Sequence, residues 1–172
     1  MVSQVAANLG LACALAGRVA EGIALIEKGE TVAEETGHIC YRPARLLCLA
    51  RALIQAGRID EAARAAGEAL GLARQHGERP AEAAAHSALG DVARLRDPGA
   101  DEHVERELRE ALALAEALEM RPLSWRCHLR LAWLYRRADR GAHRTHRSKA
   151  RVLLEQMGGN LRLRAAGPEA LA

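Results

Sequence analysis

Apolar and polar residues follow one another along most of this chain with the spacing of an amphipathic helix. The clearest stretch has apolar residues at steps of three and four, which place them on one helical face. These residues are Val104, Leu108, Ala111, Leu112, Ala115 and Leu118. The opposite face carries the i,i+4 pairs Glu102/Arg106 and Glu105/Arg109, each worth only about 0.2–0.5 kcal/mol and typical of solvent-facing surface. The alternation that strands need is absent from the sequence, so the pattern predicts an all-α protein.

A Leu followed by a small residue recurs at a nearly fixed interval. Four such pairs are separated by 40, 40 and 42 residues: Leu9-Gly10, Leu49-Ala50, Leu89-Gly90 and Leu131-Ala132. The phrase Ala16-Gly17-Arg18 also returns 40 residues later, as Ala56-Gly57-Arg58. A period in this range is typical of stacked helix pairs, because a single pair cannot bury its own apolar face. The sequence therefore predicts about four helix pairs in one array.

The predicted repeats cover about 3–37, 42–77, 80–119 and 122–158, which makes residues 1–158 a single array and 159–172 a C-terminal tail. The first helix is expected at about Ser3–Ala16, which interprets the apolar opening stretch as a helix rather than a signal peptide, since a basic start is lacking. The last helix is expected at about Thr145–Met157. Pro43 lies deeper in its repeat than the other prolines and predicts a shortened helix.

Glycine, proline and aspartate mark the expected helix ends. Gly37, Gly77 and Gly158 follow helical stretches, where a left-handed residue satisfies the last carbonyl groups. Pro80 and Pro122 are expected to open helices, because the first turn has no use for their missing N–H groups. Two aspartates are expected to cap the second helix of their pair. They are Asp60 and Asp101.

The repeated positions resemble the tetratricopeptide repeat. That family has a Leu-Gly pair and a later large residue in helix A, and small, large and small residues in order along helix B. The matching residues are Leu9, Gly10, Cys13, Gly17, Gly22, Ile26 and Gly29; Leu49, Ala50, Leu53, Gly57, Ala62, Ala66 and Ala69; Leu89, Gly90, Ala93, Val104, Leu108 and Ala111; and Leu131, Ala132, Tyr135 and Ala150. The resemblance implies a right-handed α-α superhelix whose A helices line a concave groove for a protein or peptide partner.

The repeats depart from the family in length, because the usual repeat has about 34 residues. The chain is most similar to long-repeat bacterial arrays found C-terminal to ATPase, nucleotidyl-cyclase or transcription-activator modules, mainly through residues 112–134. This resemblance implies a scaffold or regulatory segment that is part of, or derived from, a larger bacterial signalling protein.

The repeat register projects a set of side chains into the expected groove. They are Gln4, Leu11, Arg51, Gln55, Ser87, Asp91, Arg94, Arg126, Trp133, Arg136 and Arg137. Arginine offers planar, bidentate donors to carboxylate or phosphate, and Trp and Arg are favoured at binding hot spots. The alternative is that Trp133 packs between repeats while the arginines are merely solvated. The Lys and Asn set with which some family members clamp chaperone tails does not occur here.

Catalysis and metal binding have little support in the sequence. His86-Ser87 and Cys127-His128 are neighbours in sequence, and adjacent helical residues do not face one another. No Gly-rich phosphate loop of the Walker type occurs. Neither His38 with Cys40 nor His143 with His146 supplies the four ligands of a structural zinc site. The sequence therefore predicts a non-enzyme without metal or cofactor.

Charge is distributed unevenly, and this raises nucleic acid as an alternative partner. Residues 1–120 hold 13 Lys/Arg against 19 Asp/Glu, whereas residues 121–172 hold 12 against 3, so that net charges of −6 and +9 make the total of +3. The basic end could meet phosphates as an accessory domain of a transcription regulator. However, no recognised nucleic-acid-reading module occurs. The basic stretch 141–149 has three interpretations: a polar terminal cap, a binding patch or a frayed end.

Composition indicates which residues form the core and in which cellular compartment the protein is expected. Aromatic residues make up only 2% of the chain and Phe is absent, so Ala and Leu must form the core. No apolar stretch reaches the length of a membrane span. The four cysteines, Cys13, Cys40, Cys48 and Cys127, form no Cys-x-x-Cys motif and suit a reducing compartment. We therefore expect a cytoplasmic protein, and the oligomeric state is left open.

Overall fold

A computed structural model describes residues 2–37 and 40–158, and every regular element in these ranges is a helix. The predicted all-α class is confirmed. The eight helices of this part of the chain are α1 (Val2–Leu15), α2 (Val19–Glu35), α3 (Arg42–Gln55), α4 (Ile59–His76), α5 (Arg79–Arg96), α6 (Asp101–Ala117), α7 (Arg121–Tyr135) and α8 (Arg140–Gln156). The predicted tail 159–172 and His38 lie outside the described residues.

The helices pack in sequence order as four antiparallel pairs. The closest packing is within the pairs α1/α2, α3/α4, α5/α6 and α7/α8, and each pair also contacts the next through α2/α3, α4/α5 and α6/α7. The first helices of successive pairs, here called the A helices, touch where α1 meets α3 and α3 meets α5. The arrangement is that of a helical repeat array and is consistent with the predicted superhelix.

Small residues make the helix pairs compact. The core has two clusters, one spanning α1 to α5, in which alanine is the commonest buried residue, and the other α5 to α7, in which alanine and leucine are equally common. Ala7, Ala50, Ala62 and Ala66 have no exposed surface. Alanine favours helix at no side-chain entropy cost but buries little area. Close backbone approach, rather than bulky interdigitation, therefore holds the pairs together.

Most of the predicted helix ends are confirmed within one or two residues. Gly37 and Gly77 adopt left-handed backbone conformations with φ of +66° and +68°, as does Gly158 with φ of +76°. Pro80 and Pro122 lie in the first turns of α5 and α7. The expected shortening at Pro43 is not observed: α3 has 14 residues, as many as α1 and one fewer than α7, and only α5, with 18, is clearly longer.

Two expectations about helix starts are wrong. Asp60 and Asp101 do not cap their helices: the residues before α4 and α6 are Arg58 and Ala100, and neither provides a side-chain cap. Both aspartates lie instead in the first helical turn, where the helix dipole interacts favourably with a carboxylate. Asp60 also forms an ion pair with Arg96 of α5.

The start of the last helix is also wrong in the sequence-based prediction. We expected α8 to begin at Thr145, but it begins at Arg140. Asp139 accepts hydrogen bonds from the backbone N–H groups of Gly141 (2.8 Å) and Ala142 (3.0 Å), and this cap starts the helix early. Ala150 and Leu154 are buried, whereas the basic residues face solvent. The stretch 141–149 is therefore ordered helix with a polar outer face, as a terminal cap requires.

Polar contacts also join successive pairs. Arg45, 2% exposed, bonds the carboxylate of Glu30 and the carbonyl of Cys40. His86 of α5 bonds Glu107 of α6 at 2.8 Å through Nδ1, and its Nε2 lies 3.1 Å from Arg74 of α4. Arginine can only donate, so Nε2 of His86 accepts and Nδ1–H donates to Glu107. None of the helices described is long and apolar enough to cross a membrane.

Candidate functional site

The A helices of all four pairs line one concave groove with a volume of about 920 Å³. Helical lining comes from Leu11, Ala44, Leu47, Cys48, Arg51, Pro80, Ala81, Ala84, Ala88, Leu123 and Arg126, on α1, α3, α5 and α7. Cys40, Tyr41, His76 and Glu78 complete the lining where α2, α3, α4 and α5 are connected. The groove is largely apolar, as ligand sites generally are, and it has a few charged groups at defined places.

Arg51 and Arg126 are the two arginines of the groove lining. Both are partly buried, and neither forms a hydrogen bond or ion pair with another residue of the described ranges. Nε of Arg126 is fully buried and has no acceptor among the residues that the structure describes. A buried donor without an acceptor is costly. These two side chains are therefore the most conspicuous polar feature of the groove.

A buried ion pair lies beside these arginines. Arg130 of α7 donates to the carboxylate of Asp91 on α5 at 2.7 Å and to the hydroxyl of Ser87 at 2.9 Å. The Arg130 and Asp91 side chains are only 13% and 12% exposed. The pair connects the third and fourth helix pairs, and it engages both Ser87 and Asp91, which we had predicted to face the groove.

The electrostatics of this cluster are unbalanced. Arg51, Arg94, Arg126 and Arg130 all interact with the single carboxylate of Asp91. Burial raises the pKa of Asp91, although the four arginines pull it down. Burial and the neighbouring charges of Arg130 and Arg51 lower the pKa of Arg126 to about 10. Burial, followed by the charge of Arg130, lowers the pKa of Arg51. The cluster therefore has more cations than anions.

Trp133 is at the centre of a second cluster. The guanidinium carbons of Arg136 and Arg94 lie 4.7 and 5.7 Å from the centroid of its ring. Cation–π contacts of this kind contribute about 0.5–1 kcal/mol at exposed sites. Arg94 and Arg136 thus both contact Trp133 near the carboxyl ends of α5 and α7, and all three residues are outside the groove lining.

The predicted groove residues are therefore divided among different places. Leu11, Arg51 and Arg126 line the groove, Ser87 and Asp91 are buried beside it, and Arg94, Trp133 and Arg136 form the aromatic cluster. Gln55 and Arg137 are exposed near the ends of α3 and α7. Gln4 donates to Asn8 within α1 at 3.0 Å.

Sequence reasoning missed Arg130 and Tyr41. Arg130 follows Arg126 by four residues and precedes Trp133 by three, so helical spacing alone could have placed it on the same face. Tyr41 lines the groove, is 65% exposed and has a left-handed φ of +63°. A bulky residue rarely adopts this conformation, and its cost is of order 1 kcal/mol. No sequence pattern indicated it, because turns of this kind usually contain Gly or Asn.

A histidine cluster lies between α6, α7 and α8, away from the groove. Nδ1 of His128 is 2.9 Å from Nδ1 of His146, and Nε2 of His128 is 3.4 Å from Glu116. The His146 ring also stacks on Tyr135 at 5.7 Å. Within residues 2–37 and 40–158, no group of three or more His, Cys, Asp or Glu side chains could hold a metal ion.

No protein-family model matches the chain, and no curated protein matches it either.

Proposed function

We propose that the chain is a protein-interaction scaffold or regulatory segment that binds a peptide or protein partner in the groove between its A helices. One observation supports this most: all four A helices contribute to a single, mostly apolar concave surface of about 920 Å³. Stacked helical repeats use such concave surfaces to hold extended partners. The tetratricopeptide resemblance and the proposed origin in a larger bacterial signalling protein rest on the sequence pattern alone.

Obstruction of the groove tests this proposal. Ala84 lies in the first half of α5 and lines the groove, so Ala84→Trp places an indole where the partner would lie. Ala113 is exposed on α6 and outside the lining, which makes Ala113→Trp the matched control. Circular dichroism melts check that both variants fold.

A random 12-residue peptide library displayed on phage is panned on the immobilised full chain. Peptides are expected to be enriched on the wild type and the Ala113→Trp variant, and their binding should be at least 10-fold weaker on the Ala84→Trp variant. The absence of any enriched peptide, or equal capture by the Ala84→Trp variant, would contradict a peptide-binding groove.

Nucleic-acid binding by the basic end is the second candidate, because α8 presents an exposed basic stripe. Its members, Arg140, Arg144, Arg147 and Arg151, follow one another at steps of four, three and four. Phosphate contacts of this kind weaken steeply with salt. Anisotropy of a labelled 20-base-pair DNA and a 20-nucleotide RNA at 50 and 200 mM salt tests this candidate. Binding that is unchanged when Arg140, Arg144, Arg147 and Arg151 become Gln would rule out the stripe.

A further inference from the structure

The apolar groove has a distinct cationic region. Arg51 on α3 and Arg126 on α7 approach the same cavity from different helix pairs, and both are partly buried. Surface arginines are normally hydrated or paired, and a buried guanidinium needs acceptors for its five donors. Arg126 Nε has none among the residues described, although it is screened from solvent.

Within the part of the chain that the structure describes, Asp91 is the one carboxylate whose charge acts on Arg51 and Arg126, and it is already engaged. The carboxylate of Asp91 accepts a hydrogen bond from Arg130 at 2.7 Å, and Arg130 donates a second hydrogen bond to the hydroxyl of Ser87. The positive charges of Arg51, Arg126 and Arg130 therefore repel one another, and Asp91 does not neutralise all three. Charges brought together in a low-dielectric environment interact strongly, so an added anion would be stabilised there. The cluster is complementary to a negative group that enters from the groove.

The apolar part of the groove indicates which kind of molecule carries that negative group. Leu47, Ala81, Ala84 and Leu123 line the same cavity and offer only apolar contact. A free phosphate ion has nothing to place against these side chains. A polypeptide that bears both aliphatic and acidic side chains satisfies the apolar and cationic parts together. A volume of about 920 Å³ is sufficient for several such side chains.

We propose that Arg51 and Arg126 form an anion seat for the carboxylate of an Asp or Glu side chain of the bound peptide, whose neighbouring aliphatic side chains occupy the apolar part of the groove. The proposal rests on the proposed function and specifies its partner: an acidic and aliphatic peptide segment. Arg130 holds the carboxylate of Asp91 at 2.7 Å, so this neighbouring anion is not free to occupy the seat.

The test uses synthetic peptides taken from the phage selection, each made with its Asp or Glu and with the matching Asn or Gln. Affinities are measured by fluorescence anisotropy at 50 and 300 mM salt on the wild type and on Arg51→Gln and Arg126→Gln variants. Arg64→Gln is the matched control, since Arg64 is exposed on α4 and outside the groove lining.

The acidic peptides are expected to bind at least 10-fold more tightly than their amide versions on the wild type, and to lose that advantage on the Arg126→Gln variant. The Arg64→Gln variant should behave as the wild type. Selected peptides without acidic residues, or an acid preference that survives in both groove variants, would overturn the anion seat and leave the groove itself intact. A phage selection that enriches no peptide would instead refute the proposed function.

Two further measurements keep the test independent of variant folding. Cys40 is exposed and lines the groove, so a bound acidic peptide should slow its alkylation by N-ethylmaleimide on the wild type at least 5-fold. The amide peptide at equal concentration should protect Cys40 much less. Displacement of the acidic peptide by 10 mM inorganic phosphate, with no displacement by 10 mM acetate, would identify phosphate as the preferred anion and overturn the carboxylate assignment.

Discussion

Gly10 of α1 and Gly22 of α2 face one another so closely that neither position has room for a side chain. A Cβ atom on Gly10 would lie 2.5 Å from the carbonyl oxygen of Gly22, and a Cβ atom on Gly22 would lie still closer to that of Gly10. Backbone atoms cannot yield as a flexible side chain can. The second helix pair has alanines at the corresponding positions, Ala50 and Ala62, so the first pair is the more tightly packed.

We predict that Gly22→Ala destabilises the protein by about 2–3 kcal/mol, because α1 and α2 must separate to admit the methyl group. Gly67 is the matched control: it lies within α4, and a Cβ atom there meets nothing within 4 Å. Gly67→Ala should stabilise by about 0.5–1 kcal/mol through helix propensity alone. Urea unfolding followed by circular dichroism measures both effects. Equal stabilisation by the two substitutions would show that α1 and α2 are not in close contact.

The Asp91–Arg130 pair should be strongly coupled, because both side chains are nearly buried and four arginines share one carboxylate. Asp91→Asn is expected to destabilise by about 2–4 kcal/mol, since it leaves Arg130 without its counter-ion. A double-mutant cycle with Arg130→Met should give a coupling energy of at least about 1 kcal/mol.

An exposed carboxylate provides the comparison for Asp91. Glu110 faces solvent on α6, so Glu110→Gln should change stability by less than about 0.5 kcal/mol. Purely additive effects in the cycle would mean that Asp91 and Arg130 do not form the contact that joins α5 to α7.

Thiol accessibility should separate one cysteine from the other three. Cys40 is exposed, whereas Cys13, Cys48 and Cys127 are buried. Burial raises the pKa of Cys48, and it raises the pKa of Cys127 to about 11. Thiolate is the reactive form, so buried, protonated thiols react slowly. We expect Ellman's reagent at pH 8 to titrate one thiol rapidly in the native protein and four in 6 M guanidinium chloride. Two or more fast thiols in the native protein would contradict the burial of these helices.

The periodic residues predicted the array better than they predicted the site. Spacing fixed which helices pair and where they end, because Gly77 and Pro80 act through local backbone preferences. The predicted start of α8 was wrong because Asp139 caps the helix, and no strong sequence signal marks that role. Two of the residues that spacing had assigned to the groove, Arg51 and Arg126, line it in the structure, and their role in binding stays a prediction.

The separation of the predicted residues into a groove and an aromatic cluster depends on distances between helix pairs. The burial of Asp91 against Arg130 and the contact of Trp133 with Arg94 both join α5 to α7. Both contacts depend on the angle and offset between the third and fourth helix pairs. A single sequence gives no measure of that offset, so the groove and the aromatic cluster could not be told apart beforehand.

His128 should make the protein sensitive to mild acid. Its side chain is 2% exposed, and burial together with the charges of His146 and Lys149 lowers its pKa to about 4, despite the opposing carboxylate of Glu116. The pKa of His146 is lowered as well, mainly by burial. An unfolded histidine titrates near 6.5, so the unfolded chain binds more protons than the folded protein between pH 6.5 and 4. Stability must therefore fall as the pH decreases through this window.

For His128 alone the loss amounts to about 3 kcal/mol on going from pH 7 to pH 4. The measurement is the free energy of urea unfolding at half-unit pH steps for the wild type, for His128→Gln and for His103→Gln, which alters an exposed histidine on α6. Carboxylates titrate in all three proteins, so the difference between the curves isolates the imidazole. The His128→Gln variant should show a clearly shallower acid limb, and the His103→Gln variant should follow the wild type. Parallel curves for all three would mean that His128 is hydrated in solution and that α8 does not seal it against α7.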